Sequence, residues 1–591
     1  MKFPKLRVLE ASRQMVDTFK GYNHNLRIGD GEFFDMKNMT SDHYPILSPR
    51  GKRGVYSSPD SPNGLIAKDA LCYVDGTEFV INEYRVEMGL NDEPKQLISM
   101  GAYVIIMPDK KWINTIDTTE FGNIEAEITT SSPVSFTLCR MDGTVYSETE
   151  IPRNEPSKPA NMDLWVDTST EPHSLKQWSK SSGMWVTIPT TYVKISSPGI
   201  GAAFEKYDGI TISGLKDTVL HDNVSGNAIE DTSDLAALDG SAVVWEKGDN
   251  YIVVVGILDV TRTISDSITI SRKMPVMDFM VESDNRLWGC RYGEAANGDV
   301  VNEIYASKLG DFKNWSCYMG LSTDSYTASC GTDGQFTGAI THLGYPLFFK
   351  ENCVHKVYGN YPANFQIQTT ACRGVQKGCA KSLAIVNETL FYKARNAVCA
   401  YDGSLPTEVS YALGNEEYGE AVGGSHGNKY YISMKDNLDV YHLFVYDVAK
   451  GMWHKEDNIQ VSDFCSCRGE MYAISNGKII TMRGTGTPDS GLVEWMAETG
   501  EIGISSPDMK YISRLTVRMS MDIGAEVRFY AKYDFCDEWE HLCTLRSDNL
   551  RSFSLPIRPK RCDHMKLRIE GEGVVKVYSI TKTIEQGSDR S

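Results

Sequence analysis

The sequence lacks the features that mark membrane proteins and nucleic-acid-binding proteins. Its longest apolar run spans residues 251–258, far short of the roughly 20 residues of a transmembrane helix. The opening residues, Met1-Lys-Phe-Pro-Lys-Leu-Arg7, contain no sustained apolar stretch, so we expect no signal peptide. Lysine and arginine number 60 against 78 aspartates and glutamates, a net charge of −18. This balance argues against wrapping a nucleic acid by bulk electrostatics, because such surfaces concentrate cations.

Signatures of the commonest enzyme classes are missing as well. The sequence contains no Walker A, G-x-G-x-x-G, H-E-x-x-H or EF-hand pattern. Its 14 cysteines are scattered, so we expect free thiols in a reducing cytoplasm rather than a disulfide framework. The densest basic clusters, Arg50-Gly-Lys-Arg53 and Arg558-Pro-Lys-Arg561, are typical of solvated turns or protein-contact edges.

What the sequence has in abundance is strand and turn signal. Glycine (50 residues) and tyrosine (30 residues) suit tight turns and pleated surfaces. Residues 515–521 alternate strictly between apolar and polar, and residues 527–533 and 565–569 repeat the pattern, which predicts half-buried strands. Helical periodicity is scarce. The sequence therefore predicts an all-β protein.

The strands recur at a fixed spacing. Aromatic or apolar strand cores at Leu347, Leu390, Tyr430 and Met471 lie 43, 40 and 41 residues apart. One four-stranded propeller blade takes about 40–50 residues, so this period predicts a β-propeller. Further cores at 71–73 and 102–106 bring the expected number of blades to about seven, with six to eight fitting the length. Trp315 and Trp453 each follow a strand and a turn, as in kelch-type blades.

The period also divides the chain. A stretch of about 155 residues with its own strands interrupts it, too long for a structureless loop, so we expect an inserted β domain. The period ends near residue 490, where a C-terminal β-sandwich is expected. The predicted parts are an N-terminal extended segment packing on the propeller (1–63), the first blades (64–117), the insertion (118–273), the remaining blades (274–489) and the sandwich (490–591).

Three groups of residues invite chemistry, each with a plainer interpretation. Gly423-Gly-Ser-His-Gly427 matches the G-x-S-x-G elbow, but a strand follows where the elbow needs a helix, which favours a glycine-rich hairpin. The cysteines at 372, 379, 465, 467, 536 and 543, with His541, lack the two well-spaced pairs of a structural zinc site and are expected to be free.

Carboxylates form the third group. A propeller glycosidase needs two carboxylates about 5–9.5 Å apart. The acids at 436, 439, 447, 456 and 457 are candidates, but the sequence does not place two of them across one cavity. We therefore assign no catalytic, cofactor-binding or metal-binding residue and expect no enzyme and no cofactor.

Three stretches follow a recognisable pattern in order. The first comprises residues 21–23, 29–33, 35–39 and 42–50 with Arg53; the second runs from Ile304 to Trp315; the third comprises 562–571, 577–580 and 587–589. Together they resemble the beginning, a middle blade and the terminal domain of a group of bacteriophage virion β-propeller proteins. The simplest versions of these lack the 118–273 insertion.

The resemblance implies a structural role in the virion. It is to tail hub, nozzle or packaged-DNA-stabilisation proteins of short-tailed phages, in which several copies, commonly six, form a ring below the portal and adaptor. Expected partners are further copies of the chain, the portal or adaptor and other tail proteins, and genome DNA passing through without sequence-specific binding. The insertion offers contacts to tail fibres or a host surface. Two alternatives stay open: a phage-borne glycan hydrolase and a receptor-binding protein.

Overall fold

The computed structural model describes residues 11–146, 150–170, 172–216, 233–295, 298–484, 487–488, 491–534, 536–546 and 549–586. The turn at 587–589 lies outside them. Within these ranges, helix is confined to α1 (Ser233–Ala236) and three single 3-10 turns, Pro362–Asn364, Ala380–Ser382 and Tyr411–Leu413. No helix in these ranges has the length and hydropathy to cross a bilayer. The predicted all-β class is confirmed.

The N-terminal segment carries six short strands. They are β1 (Ala11–Val16), β2 (Gly21–Tyr22), β3 (Glu32–Lys37), β4 (Met39–Thr40), β5 (Ser48–Pro49) and β6 (Gly54–Ser57). Two of them, β4 and β5, pair with each other, whereas β1, β2, β3 and β6 pair with distant parts of the chain.

Two four-stranded antiparallel sheets come next. Sheet 1 comprises β7 (Pro62–Ala67), β8 (Leu71–Asp75), β9 (Glu78–Ile81) and β10 (Tyr84–Glu87). Sheet 2 comprises β11 (Gln96–Met100), β12 (Tyr103–Met107), β13 (Lys111–Asn114) and β14 (Phe121–Asn123).

The insertion follows β14 and has its own hydrophobic cores. Two of its sheets, β15-β26-β21-β22 and β23-β24-β20-β16-β25, pack on one cluster that includes Phe136 and Ile252. A third, small sheet is β17-β18-β19. The strands are β15 (Ala126–Thr129), β16 (Val134–Cys139), β17 (Leu164–Asp167), β18 (Ser174–Ser179), β19 (Met184–Thr187), β20 (Tyr192–Ser196), β21 (Gly209–Ser213), β22 (Gly240–Val243), β23 (Glu246–Gly248), β24 (Tyr251–Val255), β25 (Arg262–Ile264) and β26 (Thr269–Arg272).

Five more sheets follow the insertion. Sheet 3 is β27 (Phe279–Ser283), β28 (Arg286–Glu294), β29 (Val300–Ala306) and β30 (Tyr326–Ser329); sheet 4 is β31 (Gly338–His342), β32 (Tyr345–Lys350), β33 (Cys353–Tyr358) and β34 (Gln366–Ala371). Sheet 5 is β35 (Ala384–Val386), β36 (Thr389–Ala394), β37 (Ala397–Tyr401) and β38 (Thr407–Glu408). Sheet 6 is β39 (Tyr418–His426), β40 (Lys429–Asp436), β41 (Tyr441–Asp447) and β42 (Met452–Lys455); sheet 7 is β43 (Asp463–Cys467), β44 (Glu470–Ser475) and β45 (Lys478–Thr481), with β6 beside β45 and β46 (Thr487–Pro488) beside β6.

The seven sheets are arranged as in a propeller. The first strand of each sheet contacts the first strand of the next sheet, and β43 of sheet 7 contacts β7 of sheet 1. Between sheets 4 and 5 the contact differs, because β31 contacts the 3-10 turn before β35. The second strands are buried on both faces, as with Phe348 and Phe349, because each sheet packs between two neighbours. The predicted propeller fold is confirmed. The two tryptophans are placed differently: Trp453 lies in β42, whereas Trp315 lies in the connection before β30.

The C-terminal part is the predicted β-sandwich. One sheet has the order β1-β54-β48-β51 with β52 beside β48, and the other is β47-β53-β49-β50. Alternate residues such as Val517, Phe529 and Ile569 are fully buried in a common core. The strands are β47 (Glu494–Thr499), β48 (Lys510–Met521), β49 (Glu526–Tyr533), β50 (Glu540–Leu545), β51 (Arg551–Ser554), β52 (Arg561–Cys562), β53 (Met565–Glu572) and β54 (Val575–Gln586).

Candidate functional site

The N-terminal segment joins the propeller to the sandwich through backbone pairing. Tyr22 of β2 pairs with Trp453 of β42, β2 runs parallel to β3, and β3 pairs with β47. Sheet 6 is thereby continuous with one sheet of the sandwich. A Cβ atom on Gly21 would lie 2.3 Å from the Trp453 carbonyl oxygen, and Gly21 has a φ of +84°, so only glycine fits.

A buried ion cluster fixes the same segment to the residues that follow β42. Arg53, 5% exposed, places Nη2 2.7 Å from Glu456 Oε2 and Nη1 2.6 Å from Asp457 Oδ2. Arg50 approaches the same two carboxylates at 3.5 and 3.3 Å. Burial by itself lowers the pKa of Arg53, but the carboxylates outweigh it and the net pKa shift is upward. These guanidinium groups are therefore committed to protein carboxylates.

A polar network attaches the insertion to sheet 3. Asn314 accepts a hydrogen bond from the Gly209 amide at 2.7 Å and donates to Asp208 Oδ1 at 2.9 Å. Arg272 forms an ion pair with Asp208, and burial raises the pKa of Asp208 despite that partner. A Cβ atom on Gly209 would lie 2.4 Å from the Ser316 carbonyl carbon, so the backbones touch. The insertion is docked firmly on the connection between β29 and β30.

The elbow-like motif has no catalytic geometry. Residues 423–426 belong to β39, and Gly427 forms the turn into β40 with a φ of +56°. The hydroxyl of Ser466 donates to the Ser425 carbonyl oxygen, and His426 Nε2 lies 3.0 Å from Arg483 Nη1. The predicted glycine-rich hairpin is confirmed.

The candidate cysteines are free thiols, and all except the exposed Cys536 are buried or partly buried. Cys467 is buried with Cys465 packed against the same cluster, and Cys379 accepts a hydrogen bond from the Ala421 amide. Burial raises the pKa of Cys465 to about 12, so its thiol stays protonated. His541 contacts Thr544. Within the described residues no group of three or more His, Cys, Asp or Glu side chains could hold a metal ion.

The candidate carboxylates all have structural partners. Glu456 and Asp457 share Arg50 and Arg53, and the other three have partners of their own. Asp436 binds His442 at 2.7 Å, and Asp439 pairs with Lys435 at 2.8 Å. Asp447 is 1% exposed and binds Lys450, and it accepts a hydrogen bond from Ser41, a residue of the N-terminal segment. Burial raises the pKa of Asp447, but the hydrogen bonds from Lys450 and Ser41 make the net direction downward.

A polar cleft of about 310 Å³ lies between sheets 5 and 6. Its lining comes from the end of β36, the β36–β37 turn, the end of β38 and the loop before β39, and includes Lys393, Arg395, Glu408, Tyr411, Glu416 and Glu417. The N-terminal segment fixes this loop, because Asn25 Nδ2 donates to the Tyr411 carbonyl at 2.9 Å.

Lys393 forms the floor of the cleft. It is 3% exposed, donates to Gln376 Oε1 at 2.8 Å and to the Ala394 carbonyl at 2.6 Å, and burial lowers its pKa. The exposed Glu416 and Glu417 and the 77%-exposed Tyr411 line the same cleft. With carboxylates, cations and an aromatic ring together, it can hydrogen-bond a hydroxyl-rich ligand. Sequence reasoning missed this cleft; its one local signal is the run Asn415-Glu-Glu417.

No protein-family model matches the chain, and no curated protein matches it. Among solved structures, an acylaminoacyl peptidase from Pyrococcus horikoshii is 8% identical with a TM-score of 0.23; the alignment covers 52% of this chain and 50% of the peptidase, so the chain spans half of its length. An exo-beta-1,3-galactanase from Phanerochaete chrysosporium is 8% identical over 51% of this chain and 95% of that one, with a TM-score of 0.22. A sialidase from Trypanosoma rangeli is 9% identical over 97% and 96%, with a TM-score of 0.19. Likeness at this level says nothing about activity.

Proposed function

We propose that the protein is a structural subunit of a bacteriophage virion, similar to the tail hub, nozzle or packaged-DNA-stabilisation proteins of short-tailed phages. The observation that carries the proposal is where the three resembling stretches lie. The first, with Gly21 and Arg53, joins the propeller to the sandwich, and the second, with Asn314, docks the insertion. The third builds β53 and β54 of the sandwich.

This design suits a load-bearing ring. Each part of the chain is joined to the next by strand pairing or a buried polar network, so force applied to one part passes to the others. In the proposal several copies, commonly six, form a ring in the tail or neck, bound to the portal or adaptor and to other tail proteins. The net charge of −18 favours a wall past which DNA moves without sticking. The protein would be made in the host cytoplasm and end in the virion.

The test is native mass spectrometry of the purified full-length chain, combined with cryo-electron microscopy of virions. The proposal predicts a closed oligomer, or a monomer that closes into a ring with the portal or adaptor, and density for the chain on the tail axis. A chain that is monomeric under both conditions and absent from purified virions would refute it.

A glycan hydrolase is the second candidate, and the cleft between sheets 5 and 6 is the observation that favours it. Hydrolysis would need two of Glu408, Glu416 and Glu417 to act as acid and as base or nucleophile. The assay is release of reducing ends from purified host surface polysaccharide. The hydrolase reading expects turnover in the wild type and its loss in the Glu416→Gln or Glu417→Gln variant. Absence of turnover in the wild type would remove this candidate and leave the first intact.

A further inference from the structure

Three of the ten tryptophans lie on one face of the small sheet β17-β18-β19 in the insertion. Trp165 on β17 is opposite Lys176 on β18, and Trp178 on β18 is opposite Trp185 on β19. Since side chains alternate along a strand, these four residues share one face. Leu175 points to the other face, where it is fully buried in a separate core. We call the first face the Trp face.

The rings of the Trp face are held in fixed positions. The ring centroids of Trp165 and Trp178 lie 5.5 and 5.4 Å from that of Trp185, at interplanar angles of 63° and 68°. The indole N–H of Trp165 donates to the Arg153 carbonyl at 3.2 Å, and that of Trp185 to Glu155 Oε1 at 3.1 Å. Because the tryptophan rings are already ordered, the protein loses little side-chain conformational entropy when a ligand binds.

The same rings stay in contact with water. All three tryptophans are half-buried. The buried core of this sheet lies on the opposite face, with Leu164, Val166 and Leu175, so the three tryptophan rings are not part of it. Clustered, partly exposed aromatic rings of this kind mark binding surfaces.

The charges of the face select among ligands. Lys176 Nζ lies 2.5 Å from Asp167 Oδ2 and 4.9 Å from the centroid of the Trp165 ring. Lys176 is therefore paired, and Glu155, which accepts a hydrogen bond from the Trp185 indole, adds a second carboxylate beside the rings. Single-stranded nucleic acid and anionic lipid would both need unpaired cations. An uncharged sugar instead offers apolar C–H faces to the rings and hydroxyl donors to the exposed Glu155 carboxylate.

We propose that the Trp face binds an uncharged oligosaccharide. This site is separate from the polar cleft, and it goes beyond the proposed structural role: it gives the insertion a ligand of defined chemistry. The exposed Glu155 would accept sugar hydroxyl protons, while Trp165, Trp178 and Trp185 would cover ring faces.

The test is isothermal titration calorimetry of the full-length protein against hexamers of glucose, galactose, mannose and N-acetylglucosamine. We expect at least one hexamer to bind, Trp185→Ala to weaken it about three- to tenfold, and Trp185→Phe to weaken it less. Trp539→Ala is the matched control, because Trp539 is a half-buried tryptophan on the sandwich and its loss should leave binding unchanged.

Since Trp185→Ala removes packing as well as a ring, Glu155→Gln provides a second variant that keeps the rings and changes only an acceptor. The proposal expects it to weaken binding too. Binding of none of the hexamers, equal binding by Trp185→Ala and Trp539→Ala, or preferential binding of oligo-dT or of phosphatidylglycerol vesicles would overturn the proposal. None of these results bears on ring assembly, which native mass spectrometry tests separately.

Discussion

Replacing Arg53 with methionine tests whether the ion cluster holds the N-terminal segment on the propeller. The substitution preserves the apolar stem and removes the guanidinium that contacts Glu456 and Asp457 at 2.7 and 2.6 Å. Both carboxylates then remain largely buried, with 8% and 17% of their side chains exposed. Their only remaining cationic neighbour in the cluster is Arg50, at 3.3–3.5 Å.

The expected loss follows from burial. Removing one partner of a buried ion pair destabilises a protein by about 3–5 kcal/mol, because the other charge is left uncompensated. Arg50 retains contact with both carboxylates, so we expect the low end, about 3 kcal/mol. The matched control is Arg373→Met, since Arg373 pairs with Glu408 at 61% and 42% exposure. Exposed pairs of this kind contribute about 0–1 kcal/mol.

The assay is urea unfolding followed by circular dichroism, with limited proteolysis to locate the first cleavage. A chain of several domains need not unfold in one step, so the two variants are compared on the earliest transition. We expect Arg53→Met to lower its midpoint and to open the N-terminal segment to protease before the propeller. Equal midpoints for the two variants would show that the cluster does not hold the segment.

The remaining predictions concern pH and backbone fit. Burial lowers the pKa of His355 to about 4 and that of His454 to about 3. Below pH about 6.5 the unfolded chain therefore binds more protons than the folded chain, and stability should fall as the pH drops from 6.5 towards 4. A urea midpoint that is unchanged between pH 7 and pH 5 would contradict this. Asn314→Ala should speed amide hydrogen exchange where the insertion contacts sheet 3 and leave the insertion's own core protected, with a loss of about 1–3 kcal/mol in the free energy of unfolding in the same urea assay. Unchanged exchange at that contact would contradict the attachment through Asn314. Gly21→Ala should destabilise the chain by more than Gly427→Ala does, because both have positive φ but only the first clashes; equal melting shifts would refute this.

Local patterns predicted much of this fold. The strict alternation over residues 515–521 corresponds to the buried and exposed faces of β48. The spacings of 43, 40 and 41 residues separate equivalent positions in β32, β36, β40 and β44, which are the second strands of sheets 4 to 7. Such signals survive because each lies within one strand or one sheet. The pairing of Ala11 with Glu585 and of Ser57 with Ile479 left no comparable trace, since nothing near either residue specifies so distant a partner.

The candidate sites were harder to predict for the same reason. The cleft combines Lys393 and Glu416 with Asn25, a residue far away in the sequence. The acids singled out in the sequence form ion pairs with neighbouring side chains instead of meeting across a cavity. The Trp face had a readable signal: Trp165, Trp178 and Trp185 fall in three short strand-like stretches within one small segment. Recognising it required knowing the register that puts all three on one side.

The pairing of β1 with β54 and of β6 with β45 also has a consequence for biosynthesis. β1 and β6 leave the ribosome long before β54 and β45, so their edges stay unpaired until those partner strands have been made. Such long-range pairing is slow to form and exposes the nascent chain to aggregation. Chains terminated before β45 would lack both the last propeller strands and the sandwich, and we expect them to be degraded instead of assembled.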